Sequence, residues 1–228
     1  MKKQSALDKK TFQIGGDLPV QRLGFGAMRL TGPGIWGEPK DKEEAIRVLR
    51  RAVELGINFV DTADSYGPEV SERIIAEALH PYPTGLVIAT KAGLVRPGPD
   101  QWTPNGQPAY LRKRCEGSSV QNLYSVANRN AEDVVEYCER ESLGFIPWFP
   151  LAAGELTAPG GILDRTAKEF SLTMSQLALV WLLWRSPVML PIPGTSKVSH
   201  LEENIAAASI TLDENRLQAL NNLVPAGG

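Results

Sequence analysis

Three residues of this 228-residue chain have types and spacing suited to proton transfer. The run Asn58-Phe59-Val60-Asp61-Thr62-Ala63-Asp64-Ser65-Tyr66-Gly67 places two acids and a tyrosine just past a short apolar stretch, and Lys91 closes the next such stretch. A lysine held near a phenol favours the phenolate, while a carboxylate partner fixes the lysine. Asp61, Tyr66 and Lys91 together would make Tyr66 a proton donor near neutral pH. The same residues also fit a turn-capping Asp61, a surface Tyr66 and a solvated Lys91, so spacing alone leaves both readings open. A second candidate is Leu190-Pro191-Ile192-Pro193-Gly194-Thr195-Ser196-Lys197, which runs from a strand-like segment toward a helix start. Backbone N–H groups there, helped by the helix dipole and Lys197, can hold a phosphate. An ordinary strand-to-helix loop explains the prolines and the glycine equally well.

Other chemistries find little support. Gly24-Phe25-Gly26 lacks the third glycine that a dinucleotide fingerprint needs, and no glycine-rich phosphate loop ending in Lys-Ser or Lys-Thr is present. The two histidines, His80 and His200, have no acidic or cysteine partner at ligand spacing, and there is no His-Glu-x-x-His. No metal is expected, and a Ser-His-Asp hydrolase is not indicated.

These candidates sit on an alternation of strands and helices. Phe12 to Val20, centred on Gly15-Gly16-Asp17, reads as an N-terminal hairpin. Leu23 to Met28 reads as a short buried strand. Asp41-Lys42-Glu43-Glu44 opens a helix with an acidic capping box, its apolar stripe is Ala45, Ile46, Leu49, Ala52 and Val53, and it ends at Gly56. Strands follow at Ile57 to Val60 and Leu86 to Thr90, separated by a helix with Pro68 at its first position. A long loop from Leu94 to Pro108 carries Trp102, and loops of that length are usually functional or mobile. Then come a short helix (Pro108 to Glu116), a strand-like run (Ser119 to Tyr124), a helix (Glu132 to Arg140) and a strand (Phe145 to Phe149). The chain finishes with a helix (Thr173 to Arg185), a strand (Val188 to Ile192) and a helix (His200 to Ala208). Thr173 with Gln176, and Ser199 with Glu202, form further capping boxes. About six such repeats imply a parallel sheet, and the lack of an internal Gly/Ser linker implies one domain over residues 1–228.

Composition agrees. The chain is 43% hydrophobic and 22% charged with a net charge of -2, as expected of an α/β domain with a sizeable core. Basic residues are interspersed with acids, so no nucleic-acid partner is expected. No stretch approaches the roughly 20 apolar residues needed to cross a bilayer, and no apolar segment follows the lysines at the start. Cys115 and Cys138 make neither a CxxC nor a metal pattern, which suits a reducing compartment. The expected location is the cytoplasm.

Five segments, taken in order, resemble the motifs of the aldo-keto reductases: Leu23-Gly24-Phe25-Gly26-Ala27-Met28-Arg29, Phe59 to Gly67, Ala89-Thr90-Lys91, Val120-Gln121-Asn122-Leu123-Tyr124 and Ile192-Pro193-Gly194-Thr195-Ser196. Each motif alone is weak, but five in sequence order cover nearly the whole chain. The resemblance implies a TIM-type parallel β/α barrel that binds NADPH across its strand ends and reduces a small aldehyde or ketone. Asp61, Tyr66 and Lys91 match three of the family's four catalytic residues, with Tyr66 as general acid. Gly26, Met28 and Arg29 fall in the cofactor-binding set. Gln121 matches a carboxamide contact and Tyr124 the aromatic that stacks on nicotinamide. Pro150 and Leu151 match the loop around the pyrophosphate, although Phe149 stands where a serine is usual. Gly194, Thr195, Ser196, Lys197, His200, Glu203 and Asn204 match the adenosine and 2′-phosphate end, and Lys197 favours NADPH over NADH.

The departure from the family lies between Ser118 and Ser119. There the family continues through a fourth strand ending in its catalytic histidine and a fifth strand with further carboxamide contacts. At roughly 30 residues per unit, about two β/α units are missing. A shortened barrel of about six strands is therefore expected. Two functions follow: a weakened NADPH-dependent carbonyl reductase, or a catalytically inactive truncated barrel that binds nucleotide or protein partners. Strand edges opened by the deletion imply a homo-oligomer.

Overall fold

The computed structural model describes residues 10–91, 93–105, 119–126, 128–148 and 159–222. In chain order its elements are β1 (Thr11–Ile14), β2 (Leu18–Gln21), β3 (Phe25–Gly26), α1 (Lys42–Glu54), β4 (Phe59–Asp61), α2 (Val70–Leu79), β5 (Val87–Ala89), β6 (Leu94–Val95), β7 (Thr103–Pro104) and β8 (Ser119–Leu123). These are followed by α3 (Glu132–Glu141), β9 (Gly144–Trp148), α4 (Ile162–Glu169), α5 (Met174–Arg185), α6 (Val198–Ala206) and α7 (Glu214–Asn222). They divide into two compact units.

One unit comprises Gly24–Gly117 and Gly194–Glu202. Its sheet is parallel, in the order β3-β4-β5, with Gly26 opposite Asp61 and Asp61 opposite Ala89. The middle strand β4 is buried throughout, as parallel strands covered on both faces are, whereas β5 is only half-buried. Helix α1 buries the stripe Ala45, Ile46, Val48, Leu49 and Ala52 and packs on α2, held by Lys42–Glu77 (2.5 Å) and an Arg50 Nε donation to Ala78 O (3.1 Å).

Several local expectations change in this unit. The strand expected from Leu23 to Met28 shrinks to two residues because the chain winds into a 3-10 turn over Ala27–Leu30. Pro68 does not start α2. Gly67 at φ 94° and Glu69 at φ 61° break the helical path on either side of it, so the helix begins at Val70. A side chain on Gly67 would meet the Val70 Cβ at 2.4 Å, which leaves glycine as the residue for this turn. Asp41 caps α1 by accepting the Glu44 N–H (2.8 Å), but Glu44 does not reach back to complete the box. The segment after β5 is not plain loop, since β6 and β7 pair within it as an antiparallel hairpin.

The other unit comprises Met1–Leu23, Ser118–Pro193 and Glu203–Gly228. The expected hairpin is present, with Phe12 opposite Val20 and Gly15 and Gly16 at positive φ in its turn. β8 and β9 pair in parallel from Ser119↔Gly144 to Leu123↔Trp148. The strand expected over Val188 to Ile192 is reduced to a bridge between Phe145 and Met189. Phe145 N–H donates to Val188 O and Leu190 N–H to Phe145 O, but Pro191 and Pro193 have no N–H with which to extend the ladder. Helix α5 opens with both halves of the Thr173–Gln176 capping box. The buried Arg22 guanidinium closes its far end, donating to Leu183 O (2.7 Å), Ser186 O (2.6 Å) and Met189 O (3.3 Å). Burial pulls the pKa of Arg22 down to about 10. Around α5 lies the core, with Trp181, Tyr124, Phe145, Leu179 and Leu182 fully buried. Helices α4 and α7 were not anticipated.

The helix expected from His200 starts two residues earlier, at Val198, which puts Ser199 inside the first turn rather than at the cap. Glu202 instead pairs with Arg51 Nε at 2.8 Å. The expected helix from Pro108 to Glu116, like Phe149, Pro150 and Leu151, lies outside the described residues. No helix among the described residues is long and apolar enough to cross a membrane.

Candidate active site

The parallel register of β3, β4 and β5 sets Asp61 at the end of the central strand, and Lys91 follows β5 by two residues. Lys91 Nζ donates to Asp61 Oδ2 at 2.5 Å and to Thr62 O at 2.8 Å. It also stands 5.1 Å from the centre of the Tyr66 ring. Asp61 is buried and Lys91 partly exposed, so the ammonium faces open space with a fixed counter-ion behind it. The structure thus brings together the three residues that spacing had only suggested. Behind them, the hydroxyls of Thr62 and Ser71 share a 2.8 Å hydrogen bond, and Ser71 reaches Ala27 O.

The electrostatics correct one expectation. Burial raises the Tyr66 pKa above the ordinary phenol value, the Lys91 charge pulls it down by less, and Asp61 pushes it further up. The lysine is shared with Asp61 and Thr62 O, which limits what it does for the phenol. Tyr66 therefore keeps its proton at neutral pH. Burial also raises the Asp61 carboxyl, with Lys91 opposing.

Arg96, which the sequence reading passed over, organises the walls of this cluster. Its guanidinium lies 3.7 Å from the centre of the Trp102 ring and donates to Ile35 O (3.0 Å), Gly34 O (2.8 Å), Ser65 O (3.2 Å) and Gln101 O (2.8 Å). Those carbonyls belong to three separate stretches, one of them next to Tyr66. Trp102 in turn meets Tyr66 edge to face at 6.5 Å. Ile35 is held at φ 55°, a costly conformation for a β-branched residue, and Arg96 grips its carbonyl. Only the long loop bearing Trp102 hinted at this in the sequence, because the acceptors of Arg96 are backbone carbonyls, most of them far away along the chain.

The phosphate candidate forms a cavity of about 710 Å³ in the same unit. Met28, Arg29, Gly194, Thr195, Ser196 and Lys197 line it, together with Lys40, which sequence reading missed. Gly194 approaches so closely that a side chain there would strike Gly26 O at 2.6 Å. Thr195 Oγ1 accepts the Lys197 N–H (3.1 Å) and shapes the turn into α6. The side chains of Arg29, Lys40 and Lys197 make no hydrogen bond or ion pair with another described residue, so three cations stand available in one cavity. Three cations, a helix N-terminus and a glycine that only close approach explains fit a nucleotide phosphate. His200 is exposed on the first turn of α6.

The remaining expected residues lie in the other unit. Gln121 is half-buried on β8. Tyr124 is fully buried, its ring stacked on Trp181 at 5.8 Å and edge-on to Phe145 at 5.7 Å, and its hydroxyl donates to Glu132 Oε2 at 2.5 Å. In this structure Tyr124 is a core residue. Glu203 accepts a hydrogen bond from Thr173 Oγ1 at 2.7 Å, so its carboxylate is already engaged, and Asn204 is buried.

The chain is similar to known proteins along most of its length. The Aldo/keto reductase family model matches residues 22–119 and 114–225. An uncharacterized oxidoreductase of Schizosaccharomyces pombe is 48% identical over 259 aligned positions, covering 86% of this chain and 84% of that protein. Pyridoxine 4-dehydrogenase of Escherichia coli is 33% identical over 285 positions, covering 95% of this chain and 99% of that protein. A holo-form aldo-keto reductase from Bacillus halodurans superimposes with a TM-score of 0.77 at 22% identity, covering 96% and 97% of the two chains. One from Klebsiella pneumoniae in complex with NADPH gives 0.73 at 20% identity, covering 95% of each. These likenesses show an α/β barrel fold. A match that reaches from Arg22 to Pro225 and takes in both the Asp61–Lys91 pair and the Gly194 turn leaves one assignment: this chain belongs to the aldo/keto reductase family.

Proposed function

We propose that this chain is an NADPH-dependent reductase of small aldehydes or ketones. The observation that carries the reading is the Asp61–Lys91–Tyr66 cluster, in which a protonated phenol stands beside a lysine fixed by a buried carboxylate. Bound NADPH supplies the hydride. Tyr66 supplies the proton to the carbonyl oxygen, and the Lys91 charge steadies the negative charge that grows there. Asp61 holds Lys91 in place, and Arg96 positions Trp102 beside the phenol. Arg29, Lys40 and Lys197, the amides at the start of α6 and the exposed His200 hold the adenosine 2′-phosphate end.

The reading includes a shortened barrel of about six strands within a single domain over residues 1–228, with about two β/α units lost between Ser118 and Ser119. Two facts support it. The family match falls into two stretches that meet over residues 114–119. The alignments with the yeast and bacterial relatives span 259 and 285 positions, more than the 228 residues available here. The resemblance puts the family's catalytic histidine and several carboxamide contacts in the lost stretch, so turnover is weakened. NADPH should bind more tightly than NADH and more weakly than to full-length relatives. Fluorescence titration checks this, and equal affinity for both nucleotides would remove the phosphate end from the account.

A homo-oligomer belongs to the same reading. Among the described residues β5 pairs only with β4 and is half-buried along its length. An edge of this kind, next to the lost segment, favours pairing with a second copy, most simply as a symmetric dimer. Light scattering at low micromolar concentration is expected to give twice the chain mass. A soluble, cooperatively folding monomer would mean that the six strands close unaided.

A further inference from the structure

The first free amide of α6 already has an anion on it, and that anion is a side chain of this protein. Glu44 sits in the first turn of α1, and its Oε1 accepts the Val198 N–H at 3.2 Å. Its Oε2 is held by Arg47, through Nε at 2.8 Å and Nη2 at 2.7 Å. Glu44 lines the same cavity as Arg29, Lys40 and Lys197. A carboxylate on the opening amide of a helix makes the same charge-assisted hydrogen bond that a phosphate oxygen would make there. Because Arg47 holds the other oxygen, Oε1 can give up Val198 without leaving Glu44 unpaired.

We propose that Glu44 is a specificity-determining residue, an internal competitor for the 2′-phosphate of the cofactor that holds the Val198 amide until a phosphate displaces it. The inference rests on the assignment of the Gly194–Asn204 segment to the phosphate end. Its chemical basis is a difference in charge. A 2′-phosphate entering the cavity meets Arg29, Lys40 and Lys197 but is repelled by Glu44, whereas a ribose 2′-hydroxyl, as in NADH, donates to a carboxylate without penalty. The three cations set the preference for NADPH, and Glu44 limits its size.

The experiment is a fluorescence titration of NADPH and of NADH into the purified full chain and into its Glu44→Gln variant, with a thermal melt of each protein. Glutamine keeps the size of the side chain and its acceptor for Val198 but removes the charge. The dissociation constant for NADPH is expected to fall about tenfold, while that for NADH changes by less than about twofold. Added salt should narrow the difference between the two proteins. If Glu44→Gln fails to fold, Glu44→Ala takes its place with the same expectation. An unchanged NADPH constant in the variant, or equal changes for the two nucleotides, overturns the role of Glu44 while leaving the cofactor assignment standing. Failure of the unmodified chain to bind NADPH overturns both.

Discussion

Tyr66→Phe is expected to lower the rate of aldehyde reduction by about a thousandfold and to leave NADPH affinity within about twofold, because it removes a proton donor and little else. The ring keeps its edge-to-face contact with Trp102 and its place 5.1 Å from Lys91 Nζ. The pH dependence carries the same signature. Since burial and Asp61 raise the Tyr66 pKa, kcat/KM for reduction should hold through neutral pH and fall only above the ordinary tyrosine value of 10.0. Equal turnover by the variant and the unmodified chain, measured with a reactive aldehyde, would reject Tyr66 as the acid.

The second large effect is on stability. Lys91→Met strands the Asp61 carboxylate, which is 4% exposed, and is expected to destabilise the fold by about 3 kcal/mol at neutral pH. The loss has a definite pH dependence. Without Lys91 only burial acts on Asp61, so its pKa in the folded chain stands further above the unfolded value near 3.8. A group with a raised folded pKa contributes its full stability below the unfolded value and loses it as pH rises through the folded one. The variant should therefore come closest to the unmodified chain in acid and fall behind on the way to neutrality. Asp61→Asn added to Lys91→Met should recover part of the loss. Urea unfolding at several pH values reads all three proteins.

Most of what proved legible in the sequence was local. The hairpin at Phe12–Val20, the Thr173–Gln176 capping box and the stripe on α1 each depend on residues within a few positions of one another. The Asp61–Tyr66–Lys91 cluster was legible for a related reason, since adjacent parallel strands carry residues just past their ends to one place. What escaped depends on distant partners. Glu44 looked like half of a capping box, but Val198, far along the chain, takes the oxygen that the box would have used. Arg96 acts on backbone carbonyls, which no residue pattern announces. Tyr124 matched a cofactor-stacking aromatic by motif, while in the fold its ring packs against Trp181 and Phe145 and its hydroxyl donates a hydrogen bond to Glu132. The strand at Val188 failed on chemistry that was visible, because two prolines at positions 191 and 193 cannot donate.

The proposed function is transfer of hydride and proton by this chain without the family's catalytic histidine. One measurement reaches it directly: the loss of reduced-nicotinamide absorbance when a reactive aldehyde is added to the chain saturated with NADPH, with Tyr66→Phe alongside. Slow, aldehyde-dependent oxidation of NADPH is expected with the unmodified chain, and almost none with the variant. NADPH that binds but stays reduced in both proteins would contradict it.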